Sequence, residues 1–274
     1  MDKVPFVTVS IVLYKNNFEE ISKIIFCFQK TEAKKIIIVD NSPSDDLRNI
    51  INIDSRIDYT HMPSNPGFGS AHNIAIKKSM EHGATYHFVC NPDIYFNGNI
   101  IWTMVDYMIK NKDVGMLMPQ ILNQDGSIQY LPKLLPSLFS IFIRKFKKPQ
   151  FYYKKIINQY ELRFVNEDVI YKAPVLSGCF TLLNLKAIRE IGMYDDSYFM
   201  YFEDWDLSRR MYEKYKTIYF PKVSVYHGYE SGANKSIILF KIYVNSAIVY
   251  FNKWGWFFDS KRKMINEEIL SQFE

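Results

Sequence analysis

The first 95 residues alternate short apolar segments with segments of helical periodicity, and this alternation restricts the possible folds most strongly. Val7–Leu13 and Lys35–Asp40 are β-branched runs typical of buried strands. Between them, apolar side chains repeat at helical spacing over residues 21–28. A strand, a helix and a second strand predict a parallel βαβ unit.

The same alternation continues to residue 90. We predict a helix over 47–53, a strand over 57–61, a helix over 69–82 and a strand over 86–90. The segment therefore resembles half of a doubly wound nucleotide-binding fold, in which ligands bind at the carboxyl ends of the strands. Asp40 and Asp93 both lie at such ends.

The pattern after residue 95 is less regular. A turn at Asp125–Gly126 predicts a hairpin, and residues 132–173, with prolines and a basic-aromatic cluster, are interpreted as an insertion or a mobile loop. The remaining predicted helices cover 99–112, 185–191 and 203–215, and the strands cover 114–122, 127–131, 175–183 and 217–225.

Composition restricts the class of protein. The 274 residues are 48% hydrophobic, enough for a substantial core, and the net charge of +5 is too small to indicate a nucleic-acid-binding protein. Cys27, Cys90 and Cys179 are far apart in apolar contexts, so we predict buried thiols in a reducing compartment. The N-terminus lacks a signal-peptide pattern, which favours a cytoplasmic protein.

Two adjacent carboxylates, Glu203 and Asp204, follow an aromatic run and precede a helical pattern. Apolar surroundings and a neighbouring like charge raise the pKa of a carboxylate, which suits a general base. Alternatively, both acids only complement the positive end of the helix that follows.

Seven motifs together resemble the signature of the family 2 glycosyltransferases, and within that family the bacterial rhamnosyltransferases, over about residues 5–235. The resemblance implies an α/β fold of the GT-A type, with a Rossmann-like nucleotide-binding half and a mixed central sheet. It also implies a nucleoside-diphosphate-sugar donor and inversion at the anomeric carbon. The motifs are Thr8–Tyr14, Val39–Ser42, Asn65–Asn73, Asn91–Ile94, Ser177–Gly178, Tyr198–Leu207 and His227.

The resemblance also implies roles for single residues. Asp204 would be the base and Glu203 would orient the site, while Asp40 would accept a hydrogen bond from the donor base or, alternatively, only cap the next turn. Gly67 and Gly69 would let the backbone approach a ligand closely. The implied donor-binding set is Asp40, Asn41, Asn65, Gly67, Gly69, Asn73, Asn91, Asp93 and Arg210, and the acceptor-binding set is Ser177, Gly178 and Trp205.

A divalent cation, magnesium or manganese, would stabilise the leaving diphosphate. The family commonly has Asp-x-Asp where this chain has Asn91-Pro92-Asp93, so only Asp93 and, by resemblance, His227 are candidate ligands, and strict metal dependence is left open. His227 is alternatively structural. Asp206 and Arg210 form a supporting pair at i and i+4, or Arg210 reaches the diphosphate.

We predict two parts of the chain. A glycosyltransferase domain covers residues 1–235, divides at residue 95 and contains the 132–173 insertion. Residues 236–274 are predicted to form a separate C-terminal helical segment. An apolar stripe over Ile238–Phe251, followed by Trp254, Trp256 and Lys261–Lys263, favours peripheral docking on a membrane. Packing on the core or in a homodimer is equally compatible.

Together these features predict an enzyme that transfers a sugar, L-rhamnose from dTDP-L-rhamnose, to a lipid-linked polysaccharide acceptor at the inner face of the cell membrane, with no nucleic-acid partner. Two alternatives stay open. One is a UDP-hexose donor, and the other is a catalytically silent module that binds sugar nucleotides or glycans.

Overall fold

A computed structural model describes residues 5–228 and 236–274. A nine-stranded mixed sheet, with helices on both sides, forms its centre. The strands are β1 Val7–Leu13, β2 Lys35–Asp40, β3 Ile57–His61, β4 Tyr86–Cys90, β5 Ile94–Tyr95, β6 Val114–Leu122, β7 Tyr171–Lys172, β8 Phe180–Asn184 and β9 Lys216–His227. The helices are α1 Phe18–Gln29, α2 Phe68–Glu81, α3 Ile100–Lys110, α4 Leu138–Phe146, α5 Gln150–Tyr160, α6 Leu185–Ile191, α7 Glu203–Tyr212, α8 Ile237–Trp254 and α9 Ser260–Leu270.

The amino-terminal half has the predicted doubly wound topology. Strands β3, β2, β1 and β4 are adjacent and parallel in that order, and almost every residue of β1, β2 and β4 is buried. Helix α1 begins with a capping box in which Asn17 and Glu20 satisfy each other's backbone N–H groups. Residues 48–52 form a short 3-10 helix, shorter than the predicted helix over 47–53. The predicted parallel βαβ unit is confirmed.

The second half makes the sheet mixed. Strand β8 is antiparallel to β4 and β6 and lies between them, while β9 is parallel to β6 and antiparallel to β5 and β7. The predicted strand over 127–131 is wrong, because only an isolated bridge joins Leu122 to Ile128. The strand predicted over 175–183 begins only at Phe180, since residues 175–179 form the loop that leads into the site.

The segment 132–173 is not a mobile loop, as the weak periodicity suggested, but contains α4, α5 and β7. Helix α4 packs against α5, and Ile143 and Ile157 anchor the pair in the core. Phe139, Phe142 and Phe146 remain exposed on α4. Outward aromatic residues weakened the periodicity, because they occupy positions that a soluble helix usually gives to polar residues.

The carboxyl-terminal helices are packed on the rest of the protein. Tyr250 and Phe251 of α8 are buried against Tyr198 and Phe202, and Arg209 forms a buried ion pair with Asp259, with nitrogen–oxygen distances of 2.7 and 2.9 Å. The carboxyl-terminal end of the predicted apolar stripe therefore packs against the rest of the protein, whereas Ile238 at its start is exposed. Among residues 5–228 and 236–274, none of the helices combines the length and the apolarity needed to cross a bilayer.

One prediction about sulfur-containing residues needs correction, and the basic run at the start of α9 has partners within the protein. Lys261 pairs with Glu213, Arg262 donates to the carbonyl of Pro136, and Lys263 lies 3.8 Å from Glu267, while the two lysine side chains remain 63% and 79% exposed. Cys27 is only half-buried, whereas Cys90 and Cys179 are buried thiols as predicted.

Candidate active site

Asp40 ends β2 with its carboxylate buried. Its Oδ1 accepts a hydrogen bond of 2.9 Å from the Ser42 N–H, and its Oδ2 accepts one of 2.9 Å from the Tyr59 hydroxyl. The Ser42 bond is the turn cap that the sequence offered as an alternative role. Asp40 also lines a cavity of about 330 Å³ at the strand ends, together with Lys15 and Asn16. A ligand that enters this cavity meets a fixed acceptor group.

Protein groups lie in close contact with the two glycines of the Asn65–Asn73 motif. A Cβ on Gly67 would collide with the carbonyl oxygen of Phe199, and one on Gly69 would lie 2.9 Å from Cβ of Tyr194. Gly67 also has φ +96°, a left-handed conformation that favours glycine. The prediction that these glycines admit a ligand is therefore corrected, because they seat the loop over residues 192–202 that leads into α7.

Other residues of the predicted donor set support that same loop. Asn73 binds both the N–H and the carbonyl of Tyr194, at 3.0 and 2.8 Å. Arg210 donates to Asp206 and to the carbonyls of Ile191, Gly192 and Met193, so the predicted pair with Asp206 is confirmed. Neither residue enters the donor site of the function proposed below.

Asn41 and Asn65 lie near the donor side. Asn41 is buried beside the Gly67 carbonyl, 3.5 Å from its Nδ2, and its Oδ1 has no hydrogen-bond partner among the described residues. Asn65 has a positive φ of 45° and begins the turn that leads to α2. Asparagine tolerates this backbone conformation better than most residues, so Asn65 shapes the turn.

Asn91, Asp93 and His227 converge where β4 ends and β5 pairs with β9. His227 Nε2 lies 3.3 Å from Asp93 Oδ1 and 3.3 Å from Asn91 Nδ2. The side chain of Asp93 is 44% exposed, whereas His227 is buried. An exposed carboxylate beside a buried imidazole is a suitable pair of ligands for a cation that arrives with its substrate.

Gln129 determines the tautomer of His227. Its Nε2 donates to the His227 carbonyl at 3.1 Å, which orients the amide, so its Oε1 faces His227 Nδ1 at 3.1 Å and accepts the proton there. In the neutral imidazole, the Nε2 lone pair then faces both Asp93 Oδ1 and the Asn91 Nδ2 donor, each at 3.3 Å. The carboxylate and the imidazole are ligand types that a divalent cation accepts, although the described residues contain no cluster of three or more His, Cys, Asp or Glu side chains.

The start of α7 holds the two carboxylates in a strained turn. Tyr201 and Phe202, immediately before Glu203, have φ of 71° and 67°, a region that large side chains rarely adopt. This turn aims Asp204 across the site at the loop over residues 175–179, where its Oδ2 accepts a hydrogen bond of 3.1 Å from the Gly178 N–H. Its Oδ1 accepts one of 2.9 Å from its neighbour Trp205.

The two carboxyl groups differ in acidity. Burial, and then the charge of Asp204, raise the pKa of Glu203 well above its ordinary value, and its Oε2 has no hydrogen-bond partner in the described residues. Burial also raises the pKa of Asp204, but the Gly178 N–H and the charge of Lys133 oppose that rise. Asp204 is therefore the stronger acid of the two, because the N–H groups of Gly178 and Trp205 and the charge of Lys133 oppose the effect of its burial on the pKa.

A cavity of about 560 Å³ opens beside Asp204. Ser177 and Trp205, two of the residues predicted to bind the acceptor, line it, and Gly178 lies behind them with its Cα next to Phe68 and Asp204. A hydroxyl that enters this cavity would come within reach of the Asp204 carboxylate, which is the arrangement that a general base requires.

Three site residues were missed from the sequence: Tyr59, Gln129 and Lys133. Tyr59 lies on β3, beside β2, so strand adjacency was a usable signal for its contact with Asp40. Lys133 is buried with its Nζ 2.8 Å from the Leu131 carbonyl, and burial lowers its pKa to about 8. Nothing local in the sequence marks Gln129, because its partner His227 lies 98 residues away. Nothing local marks Lys133 either, because the charges that act on it, those of Arg144, Glu161 and Asp204, come from other segments.

Comparison with known proteins gives three kinds of similarity. The sequence model described as Glycosyl transferase family 2 matches residues 11–192. The N-acetylglucosaminyl-diphospho-decaprenol L-rhamnosyltransferase of Mycobacterium tuberculosis, from two strains, is 27% identical over 175 residues. That alignment covers 60% of this chain and 56% of the relative, so it spans little more than half the length of either protein.

Solved structures share the fold at low sequence identity. GalNAc-T7 with UDP, GalNAc and Mn²⁺ aligns with a TM-score of 0.63 at 15% identity, over 91% of this chain and 48% of that one. The mannosyltransferase PcManGT from Pyrobaculum calidifontis, with GDP-Man and Mn²⁺, gives 0.61 at 12%, over 92% and 65%. S. aureus TarS gives 0.60 at 12%, over 97% and 43%. The predicted GT-A architecture is confirmed.

Proposed function

The chain belongs to glycosyl transferase family 2, as its motifs predicted, and from this premise we propose an inverting transfer of L-rhamnose from dTDP-L-rhamnose to a lipid-linked saccharide. The relative whose name includes L-rhamnosyltransferase and a diphospho-decaprenol substrate supports this choice of donor and acceptor. The observation that carries the proposal is the carboxylate pair beside a cavity, in which burial raises the pKa of Glu203 well above its ordinary value while two N–H donors and the charge of Lys133 oppose the rise at Asp204.

One base is sufficient for a single displacement. Asp204 takes the proton of the acceptor hydroxyl while the acceptor oxygen bonds to the anomeric carbon. The bond from that carbon to the donor diphosphate breaks on the opposite face, and its electrons leave with the diphosphate oxygen. A protonated Glu203 does not compete for the proton, and it keeps a second negative charge away from the base.

The donor side is proposed at the strand ends. Asp40 accepts a hydrogen bond from the nucleotide base, and Asp93 with His227 holds a divalent cation, with Asn91 beside them. Bound there, magnesium or manganese would neutralise the charge that develops on the leaving diphosphate. Gln129 keeps the His227 imidazole in the tautomer that binds a metal through Nε2.

A direct transfer assay tests this function. The purified protein is incubated with manganese, an N-acetylglucosaminyl-diphospho-lipid acceptor and dTDP-L-rhamnose or a panel of UDP-hexoses, and the product linkage is read by NMR. Inversion predicts that the product carries the anomeric configuration opposite to that of the dTDP donor. Preference for a UDP-hexose would overturn the donor assignment. Absence of both transfer and donor hydrolysis across the panel would support the silent binding module.

We also place the enzyme at a membrane surface. The rings that the α4–α5 hairpin exposes include Phe142, Phe146, Phe151 and Tyr152, beside four exposed lysines. Next to it, Phe257 and Phe258 are 75% and 96% exposed. Arg262 donates to the carbonyls of Pro136 and Phe257, which joins this turn to the start of α4. We define these rings, with Lys147, Lys148, Lys154 and Lys155, as the aromatic-basic surface.

Exposed rings bury apolar area in a membrane interface, and each lysine near an anionic surface adds about 1 kcal/mol that salt screens. Co-sedimentation with anionic vesicles should therefore weaken at high ionic strength and fall strongly in Phe142→Ser/Phe146→Ser. Phe26→Ser is the matched control, because Phe26 on α1 is as exposed as Phe146, at 56%. Equal binding of both variants would remove the surface from the proposal.

A further inference from the structure

The 560 Å³ cavity beside Asp204 is bordered by an unusual number of cationic groups. Acidic groups on its wall compensate only part of this charge. Glu161 is buried and bound by both Arg144, at 2.9 Å, and Arg163, so it offers no further charge to the cavity. The cationic residues are Lys133, Arg144, Lys145, Lys147 and Arg163.

The positive charge of the wall exceeds its negative charge. Against five cationic side chains, the described lining contains three acids: Glu161, which two arginines share, Asp204, and Glu203, whose pKa burial raises well above its ordinary value. Burial, followed by the charge of Arg144, lowers the pKa of Lys133 to about 8. The cavity is therefore suited to a ligand that brings negative charge.

The wall extends from the interior to the surface. Lys133 is buried and its charge acts on half-buried Asp204. Lys145 is half-buried over the Phe240 ring of α8 at 4.8 Å, and Lys147 is exposed where α4 ends. Phe142 and Phe146 of the aromatic-basic surface lie on the same helix, with their rings 4.6 Å apart. The cations thus extend from the neighbourhood of Asp204 to the exposed rings of α4.

We infer that the cationic wall binds the diphosphate that links the acceptor sugar to its lipid. A lipid-linked sugar diphosphate has the same order of groups, with its hydroxyl at one end, two phosphates next and an apolar chain last. This inference rests on the proposed function and adds a subsite to it. The cavity around Asp40 shares no lining residue with this one, whereas Gln129 lines the present cavity and also hydrogen-bonds His227. The acceptor diphosphate would therefore bind on the cationic wall, next to the donor diphosphate at Asp93 and His227.

Binding of farnesyl diphosphate, a short probe without a sugar, tests the subsite in detergent solution without vesicles. With dTDP and manganese saturating, calorimetry should show farnesyl diphosphate binding at least about tenfold more tightly than farnesol. Lys147→Asn and Lys145→Gln should each weaken only the diphosphate, by about fivefold to tenfold. Asn at 147 tolerates the left-handed backbone there, φ 55°, so the variant should fold.

Lys77→Asn is the matched control, because Lys77 is exposed on α2 and lines neither cavity. Equal affinity for farnesyl diphosphate and farnesol would overturn the inference. So would an equal loss of dTDP affinity in Lys147→Asn, since the lysine would then serve the donor. The inference would also be overturned if the lysine variants lost binding only to anionic phospholipid micelles and kept their affinity for farnesyl diphosphate. Tighter binding of farnesyl diphosphate than of farnesol, without sugar transfer from any donor, would support the subsite and refute the proposed function.

Discussion

The donor side of the site is built from strand ends, whereas the acceptor side is built between helices. Asp40 and Asp93 follow β2 and β4, which are adjacent to β1 in one parallel sheet. The cavity beside Asp204 instead combines residues 128–163 with 177, with 201–205 and with Tyr243 of α8. The first arrangement follows from the topology of the sheet. The second depends on how the α4–α5 hairpin and α8 pack against α7.

This difference predicts that the two sides respond independently to substitution. Donor-side residues contact the Asn91–His227 region, and acceptor-side residues contact the cavity wall. Ser177 and Asp204 lie between the two sides, near the reacting atoms. Variants that separate donor binding from acceptor chemistry therefore test the comparison, and variants that affect both sides equally would contradict it.

The largest effect is expected for Asp204→Asn, which keeps the shape of the side chain but cannot accept a proton. Transfer should fall by ~10²–10⁴-fold while the dissociation constant for dTDP changes little. Steady-state kinetics and calorimetry measure both quantities, with Asp106→Asn on α3 as the control. Retention of more than about a tenth of the turnover would show that Asp204 is not the base.

Asp93→Asn should affect the donor side alone. The amide keeps the size of the side chain but loses the charge that holds a divalent cation, so manganese-dependent dTDP binding should weaken at least about tenfold. Farnesyl diphosphate binding should not change, which separates the two sides. Wild-type turnover in excess chelator would mean instead that cationic side chains stabilise the leaving diphosphate.

Gln129→Leu should weaken manganese binding by about tenfold, because His227 loses the group that fixes its tautomer. Gln129→Glu retains an oxygen that accepts from Nδ1 and should recover part of the affinity. Manganese titrations in the presence of dTDP, followed by calorimetry, report this directly, with Gln150→Leu on α5 as the control. If Leu and Glu bind manganese equally well, Gln129 does not orient His227.

The smallest effect concerns stability. Burial raises the pKa of Glu203 above its ordinary value of 4.5, so the folded protein retains a proton that the unfolded chain has lost. Wild-type stability should therefore decrease as the pH rises from that value through the raised pKa. Glu203→Gln cannot ionise, so its advantage in free energy of unfolding should grow by up to about 1.4 kcal/mol per pH unit within that window.

Thermal unfolding at pH 5 and pH 8 measures the effect of Glu203→Gln, with the exposed Glu32→Gln as the control. Transfer should fall less in Glu203→Gln than in Asp204→Asn, because Asp204 rather than Glu203 is the proposed base. An advantage that is the same at both pH values would show that Glu203 titrates normally and that the two carboxyl groups are not distinguished by burial.

The sequence predicted the donor half well because its signals are local. Apolar β-branched runs identified β1 to β4 within a residue or two, and the carboxyl ends of parallel strands then located Asp40 and Asp93. The glycines were misinterpreted for a physical reason. A glycine pattern shows that something approaches the backbone closely, but only the fold reveals that the approaching group is Phe199 rather than a ligand.

The sequence by itself determined the family, the parallel half of the sheet and the two carboxylates at the start of α7, because periodicity and adjacent motifs are properties of short segments. Only the tertiary structure decided which carboxyl group is the stronger acid, since the N–H of Gly178 and the charge of Lys133 come from distant segments. The tertiary structure also decided that α4 and α5 line the cavity. Packing against α8, rather than local helix propensity, brings the cationic side chains of α4 into the same cavity as Asp204.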